Sequence, residues 1–168
     1  MRRTVVCFAA AIGILVGLVA TSAIAESKNP IVGTWKLLSF SRHDLANGSD
    51  SNIVGEHPTG YISFTPGGHM VVWLVGDNRK PPSGAVATDA ERLAWFKDII
   101  SAYGGTYSVE GNKYVMHIES AWIPAWYGTE QTRFFSFDGS KLVVKTAPFK
   151  SAFDGMEVIN TLVLEKVE

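Results

Sequence analysis

The chain has 168 residues, with 15 Lys and Arg against 16 Asp and Glu and a formal net charge of −1. That balance argues against a surface built for polyanions, so nucleic acid and anionic membranes are not expected partners. The only cysteine, Cys7, lies near the start, so the body of the chain has no disulfide, thiolate nucleophile or cysteine-ligated metal to draw on.

Met1-Arg2-Arg3 precedes an apolar run from Val5 to Ala20, and Ala23-Ile24-Ala25 follows as a small-x-small cleavage signal. A run of about 20 apolar residues is long enough to span a bilayer. The cleavage signal and the polar Glu26-Ser27-Lys28-Asn29 point instead to a removable leader over residues 1–25, with a single exported domain over 26–168 that is periplasmic or secreted. Cleavage removes Cys7 and two arginines, leaves the domain more acidic, and leaves no stable membrane anchor.

Short runs rich in β-branched and aromatic residues then alternate with glycine turns. Gly33 to His43 reads as a strand, followed by a polar loop. Gly60 to Thr65 and His69 to Val75 flank Pro66-Gly67-Gly68 as a hairpin. After a Pro81-Pro82 loop, Thr88-Asp89-Ala90-Glu91 is a capping box. Leu93, Trp95, Phe96, Ile99 and Ile100 then repeat at helical spacing up to Gly104-Gly105, predicting one helix. Thr106 to Val109 and Lys113 to Ala121 form a second hairpin across Gly111. Glu130 to Phe137 and Lys141 to Thr146 form a third across Gly139. Glu157 to Val167 is the last strand, with Val158, Asn160, Leu162 and Leu164 on one face. The pattern predicts an all-β, eight-stranded antiparallel up-and-down barrel with the helix between the third and fourth strands. Closure removes exposed edges, and a barrel of about eight strands has room for one small ligand.

Gly33-Thr34-Trp35 heads the first strand as Gly-x-Trp heads a lipocalin barrel, whose Trp packs across the closed end. Pro58-Thr59-Gly60-Tyr61-Ile62 also resembles the second strand of the bacterial lipocalin-like domain family. A stretch with His117, Ser120, Pro124, Trp126, Gly128 and Arg133 is similar to that family too, with Ser120 one position closer to His117 than in the family pattern. The resemblance covers nearly the whole domain and implies a calycin-type barrel.

Candidate chemistry concentrates on one hairpin. If its connection centres near Ala125, His117 faces Arg133 and Glu119 faces Gln131 on one side of the sheet. Pointing inward, Arg133 would hold a carboxylate or enolate and His117 would exchange a proton, with Phe135 on the same face. Pointing outward, the four would be a solvated face with one weak ion pair. Tyr61, Trp73, Trp122, Trp126 and Tyr127 are candidates for the rim or lining of a pocket, or for a plug that closes one end. His43, His57, His69 and His117 lack metal-ligand spacing, so neither metal nor another cofactor is expected, and no nucleophile motif or phosphate loop is present. The leading expectation is a protein that binds a small hydrophobic or amphipathic molecule. The alternatives are a cofactor-free isomerase or cyclase using His117 or Glu119 as acid–base, and a filled barrel without ligand.

Overall fold

The computed structural model describes residues 29–152 and 154–168, so the leader expected over 1–25 lies outside the described residues. The elements in chain order are β1 (Gly33–Asp44), the short β2 (Asp50–Ser51), β3 (Thr59–Phe64), β4 (His69–Val75) and helix α1 (Asp89–Lys97). They continue with β5 (Ile99–Glu110), β6 (Lys113–Ala121), a 3-10 turn (Pro124–Trp126), β7 (Glu130–Asp138), β8 (Lys141–Thr146), the short β9 (Phe149–Lys150) and β10 (Glu157–Lys166). Every pairing is antiparallel, each long strand lies beside the next, and β1 pairs with β10 to close the sheet. The result is the expected eight-stranded barrel, with β2 and β9 as short additions at its edge.

Turn chemistry sets the hairpins. Gly111 and Gly139 take φ of +60° and +59°, a left-handed conformation that glycine adopts without steric cost. Glu110 consequently faces Lys113, and Asp138 faces Lys141, across the tightest possible connections. Gly60 is required for a different reason. At φ +139° a Cβ there would lie 2.0 Å from the Trp73 carbonyl oxygen, inside the β3–β4 ladder.

The helix is shorter than its apolar stripe predicts. Thr88 caps α1 and Glu91 completes the capping box, but the helix ends at Lys97. Ile99 and Ile100 open β5 instead, with Ile99 beside Val75 and Ser101 beside Leu74. Pairing with β4 outweighs local helical spacing here, because the same β-branched and aromatic residues fit a half-buried strand. No residue of α1 is buried; Phe96 packs edge-on against Trp122 at 4.8 Å, and Trp95 Nε1 donates to the Lys80 carbonyl at 2.7 Å.

The core fills one end of the barrel. Trp35 is 2% exposed and donates through Nε1 to the Ile31 carbonyl at 2.8 Å. Phe64 packs edge-on against Tyr107 and Tyr114, with ring centroids at 5.1 and 5.2 Å. Trp35→Ala is expected to cost about 3–5 kcal/mol in urea unfolding, because it opens a cavity in a sealed layer. Trp35→Phe keeps most of the packing and should cost less, about 1 kcal/mol of it from the lost hydrogen bond.

Candidate functional site

At the other end the interior is hollow. A cavity of about 720 Å³ runs from the middle of the barrel to its mouth. That volume is within the range of about 300–1,000 Å³ typical of small-molecule pockets. Ile62 of β3, Val72 and Leu74 of β4 and Ile100 of β5 form an apolar wall. The segment Ala147–Ser151 after β8 and Lys97 at the end of α1 border it toward the mouth.

Which residues face the cavity depends on strand register. Tyr114 pairs with Arg133, Met116 with Gln131, and His117 with Glu130. The expected pairing of His117 with Arg133 is therefore replaced by one displaced three residues along the hairpin. An odd displacement reverses faces, because side chains alternate with a period of two. Tyr114, Met116 and Ile118 are buried inward, whereas His117 and Glu119 are exposed on the outer wall. The 3-10 turn at Pro124–Trp126 causes the displacement: Gly128 N–H donates to the Ile118 carbonyl, and Ile118 N–H to the Thr129 carbonyl, which moves the hairpin's centre toward β6.

Arg133, Gln131 and Trp126 do line the cavity. Phe135 points the same way but is buried in the core beneath them, tilted against Tyr114 at 6.4 Å. Tyr61 and Trp73 face each other across β3 and β4 on the outside, 48% and 50% exposed, because the inward positions of those strands belong to Ile62, Val72 and Leu74. Trp126 stands at the rim, edge-on to Tyr103 at 5.8 Å and to Trp122 at 6.3 Å. The aromatic segment thus shapes one side of the mouth and leaves the cavity open.

Arg133 donates through Nη2 to Gln131 Oε1 at 2.6 Å and through Nη1 to the Thr132 carbonyl at 3.0 Å. No carboxylate pairs with it among the described residues. Its nearest titratable company is phenolic. Burial pushes the hydroxyls of Tyr103 and Tyr114 above their ordinary range, while the Arg133 charge pulls both partly back. Both phenols therefore remain protonated at neutral pH, able to donate beside the guanidinium.

Sequence reasoning missed a second arginine. Arg42 would face outward if β1 alternated strictly from Trp35, but a bulge between Leu37 and Ser39 shifts the phase and turns Arg42 into the barrel. Its side chain is 6% exposed and pairs through Nη2 with Asp154 Oδ1 at 2.8 Å. Thr146 and Asn160 also face the cavity and were missed. Asn160 did carry a legible signal, a lone amide on the face shared by Val158, Leu162 and Leu164. Among the described residues no three His, Cys, Asp or Glu side chains gather as metal ligands.

The Arg42–Asp154 pair fastens the β8–β10 connection over the mouth. The hydrogen bond from Arg42, followed by that from the Met156 N–H, holds the Asp154 carboxyl down at about 2. A depressed pKa contributes stability that is present above the unfolded value of about 3.9 and is lost as pH falls toward the folded one. Amide exchange in residues 147–152 and 154–156 should therefore quicken as pH drops from about 4 toward 2, beyond the intrinsic pH effect on exchange. Asp154→Asn should bring the same loosening at neutral pH while the exchange of β6 and β7 stays slow.

No match to a curated protein was found. Among solved structures the chain is similar to the crystal structure of a mutant of the fluorescent protein UnaG, at 18% identity over 82% of this chain and 96% of that one, with a TM-score of 0.35. Residues 32–167 match the model of the lipocalin-like domain family, a span that runs from the turn before β1 to the end of β10. The chain belongs to the lipocalin-like domain family.

Proposed function

We propose that the barrel binds one small amphipathic molecule, with an anionic or strongly hydrogen-bond-accepting group at Arg133 and its apolar part against β3 and β4. The observation that carries this reading is an inward arginine without a carboxylate partner in a cavity of about 720 Å³. Holding a guanidinium in such a site is costly, and a ligand anion offsets that cost through charge-assisted, bidentate hydrogen bonds. Gln131 orients the guanidinium, and the protonated phenols of Tyr103 and Tyr114 add donors beside it. Ile62, Val72 and Leu74 supply the apolar contact area.

The same geometry weakens the isomerase or cyclase alternative. His117 and Glu119, its acid–base candidates, stand outside the barrel and cannot reach a substrate inside it. A leader over residues 1–25 would deliver the domain beyond the cytoplasm, where amphipathic compounds enter and leave the cell. N-terminal sequencing of the protein recovered outside the cytoplasm tests this, and a product starting near Glu26 is the expected result.

Dodecanoate and 8-anilinonaphthalene-1-sulfonate are suitable anionic probes, read by the change in intrinsic tryptophan fluorescence or by dye emission. Arg133→Met should weaken both about tenfold to a hundredfold, the equivalent of one charge-assisted hydrogen-bond pair worth about 1.5–3 kcal/mol. His117→Ala should leave both affinities unchanged. Binding that is indifferent to Arg133 but sensitive to His117 would overturn the assignment.

A further inference from the structure

Four of the polar side chains that line the cavity form a row across the sheet. Arg133 on β7 pairs in register with Thr146 on β8. Asn160 on β10 stands beside Thr146, its backbone N–H donating to Thr146 Oγ1 at 3.0 Å. Asn160 in turn pairs with Arg42 on β1. Four consecutive strands of the closed sheet therefore present one polar side chain each at the same level, and all four line the cavity. The row immediately beneath them is apolar throughout, running Phe135, Val144, Leu162 and Phe40 along the same four strands. The wall that faces the row is apolar as well: β4, with Val72 and Leu74, lies four strands from β8 in either direction around the barrel.

The row is also chemically ordered. Guanidinium donors stand at its two ends, and β7 and β1 are separated by three interstrand steps of about 4.8 Å, or about 14 Å along the wall. Between them Thr146 Oγ1 already accepts from the Asn160 N–H, which leaves its O–H to donate. Asn160 Oδ1 is sealed from solvent and has no hydrogen-bond partner among the described residues. The Asn160 side chain borders the cavity, so the middle of the row offers Thr146 and Asn160 as uncharged hydrogen-bonding groups between the two arginines. A straight-chain amphiphile with one polar head would meet Arg133 and lay methylenes across Thr146 and Asn160.

We propose that the occupant is instead facially amphipathic: a rigid ring system with oxygen functions along one edge, set against the row of Arg133, Thr146, Asn160 and Arg42, and with an apolar opposite face. This rests on the reading of the barrel as a binding site and adds the arrangement of polar groups on the ligand. Cholate, lithocholate and dodecanoate separate the possibilities. All three carry a carboxylate, cholate adds three ring hydroxyls on one face, and lithocholate adds only one.

Calorimetric titration of the purified protein below the micellar concentrations should give cholate an affinity at least about tenfold above both others. Lithocholate is the more apolar steroid, so an undifferentiated greasy pocket would rank the two steroids in the opposite order. Asn160→Leu and, separately, Thr146→Val should shrink the preference for cholate over lithocholate severalfold while lithocholate affinity stays the same; thermal melting of each variant verifies that it is folded. If dodecanoate or lithocholate binds as tightly as cholate, or if both variants keep the full preference, this inference is wrong while the binding reading stands. If none of the three binds, both fail.

Discussion

When β1 hydrogen-bonds to β10, from Trp35–Lys166 at one end to Asp44–Val158 at the other, the barrel is closed and its long strands have no free edge. Closure forces each long strand to send alternate side chains into one shared interior and the others to solvent. An interior ringed by eight strands is too wide for one level of side chains to fill everywhere. Here the aromatic and long aliphatic residues are concentrated at the Trp35 end, where Phe64, Tyr107 and Tyr114 interlock. The opposite end mixes polar side chains with its aliphatic and aromatic ones and encloses the cavity. Core and cavity are thus two consequences of the same closed sheet.

The hollow end carries costs that the packed end does not. Arg42 is removed from solvent and takes a partner within the chain, Asp154, which also secures the loop over the mouth. Arg133 is held by an amide and a carbonyl, groups that orient a guanidinium without neutralising it. One arginine is therefore structural in character and the other is left with its charge uncompensated. Asn160 Oδ1, sealed and unpartnered, adds a second unmet requirement in the same row. These two groups are the basis of the binding proposal.

Two local irregularities position these groups. The bulge between Leu37 and Ser39 changes the phase of β1, so Arg42 rather than Ser41 faces inward. The turn at Pro124–Trp126 sets the β6–β7 register and thereby exchanges His117 for Arg133 inside the barrel. Each is a displacement by an odd number of residues, and each transfers a charged side chain from one side of the wall to the other. Small backbone features in a barrel therefore have large chemical effects.

Glycine turns, β-branched runs and the Thr88–Glu91 capping box determined by themselves the strand count, the order of hairpins, the place of the helix and the closed barrel. These are local properties, because a turn or a cap acts within a few residues of where it is written. The inward direction of Arg133 and Arg42, the outward direction of His117, Glu119, Tyr61 and Trp73, and the early end of α1 were decided only in the tertiary structure. Each depends on which residue of a neighbouring strand lies opposite, and register between strands is set by bulges, turn geometry and competition for hydrogen-bonding partners across the sheet. A period of two tells that a strand has two faces; its neighbours choose which one is inside.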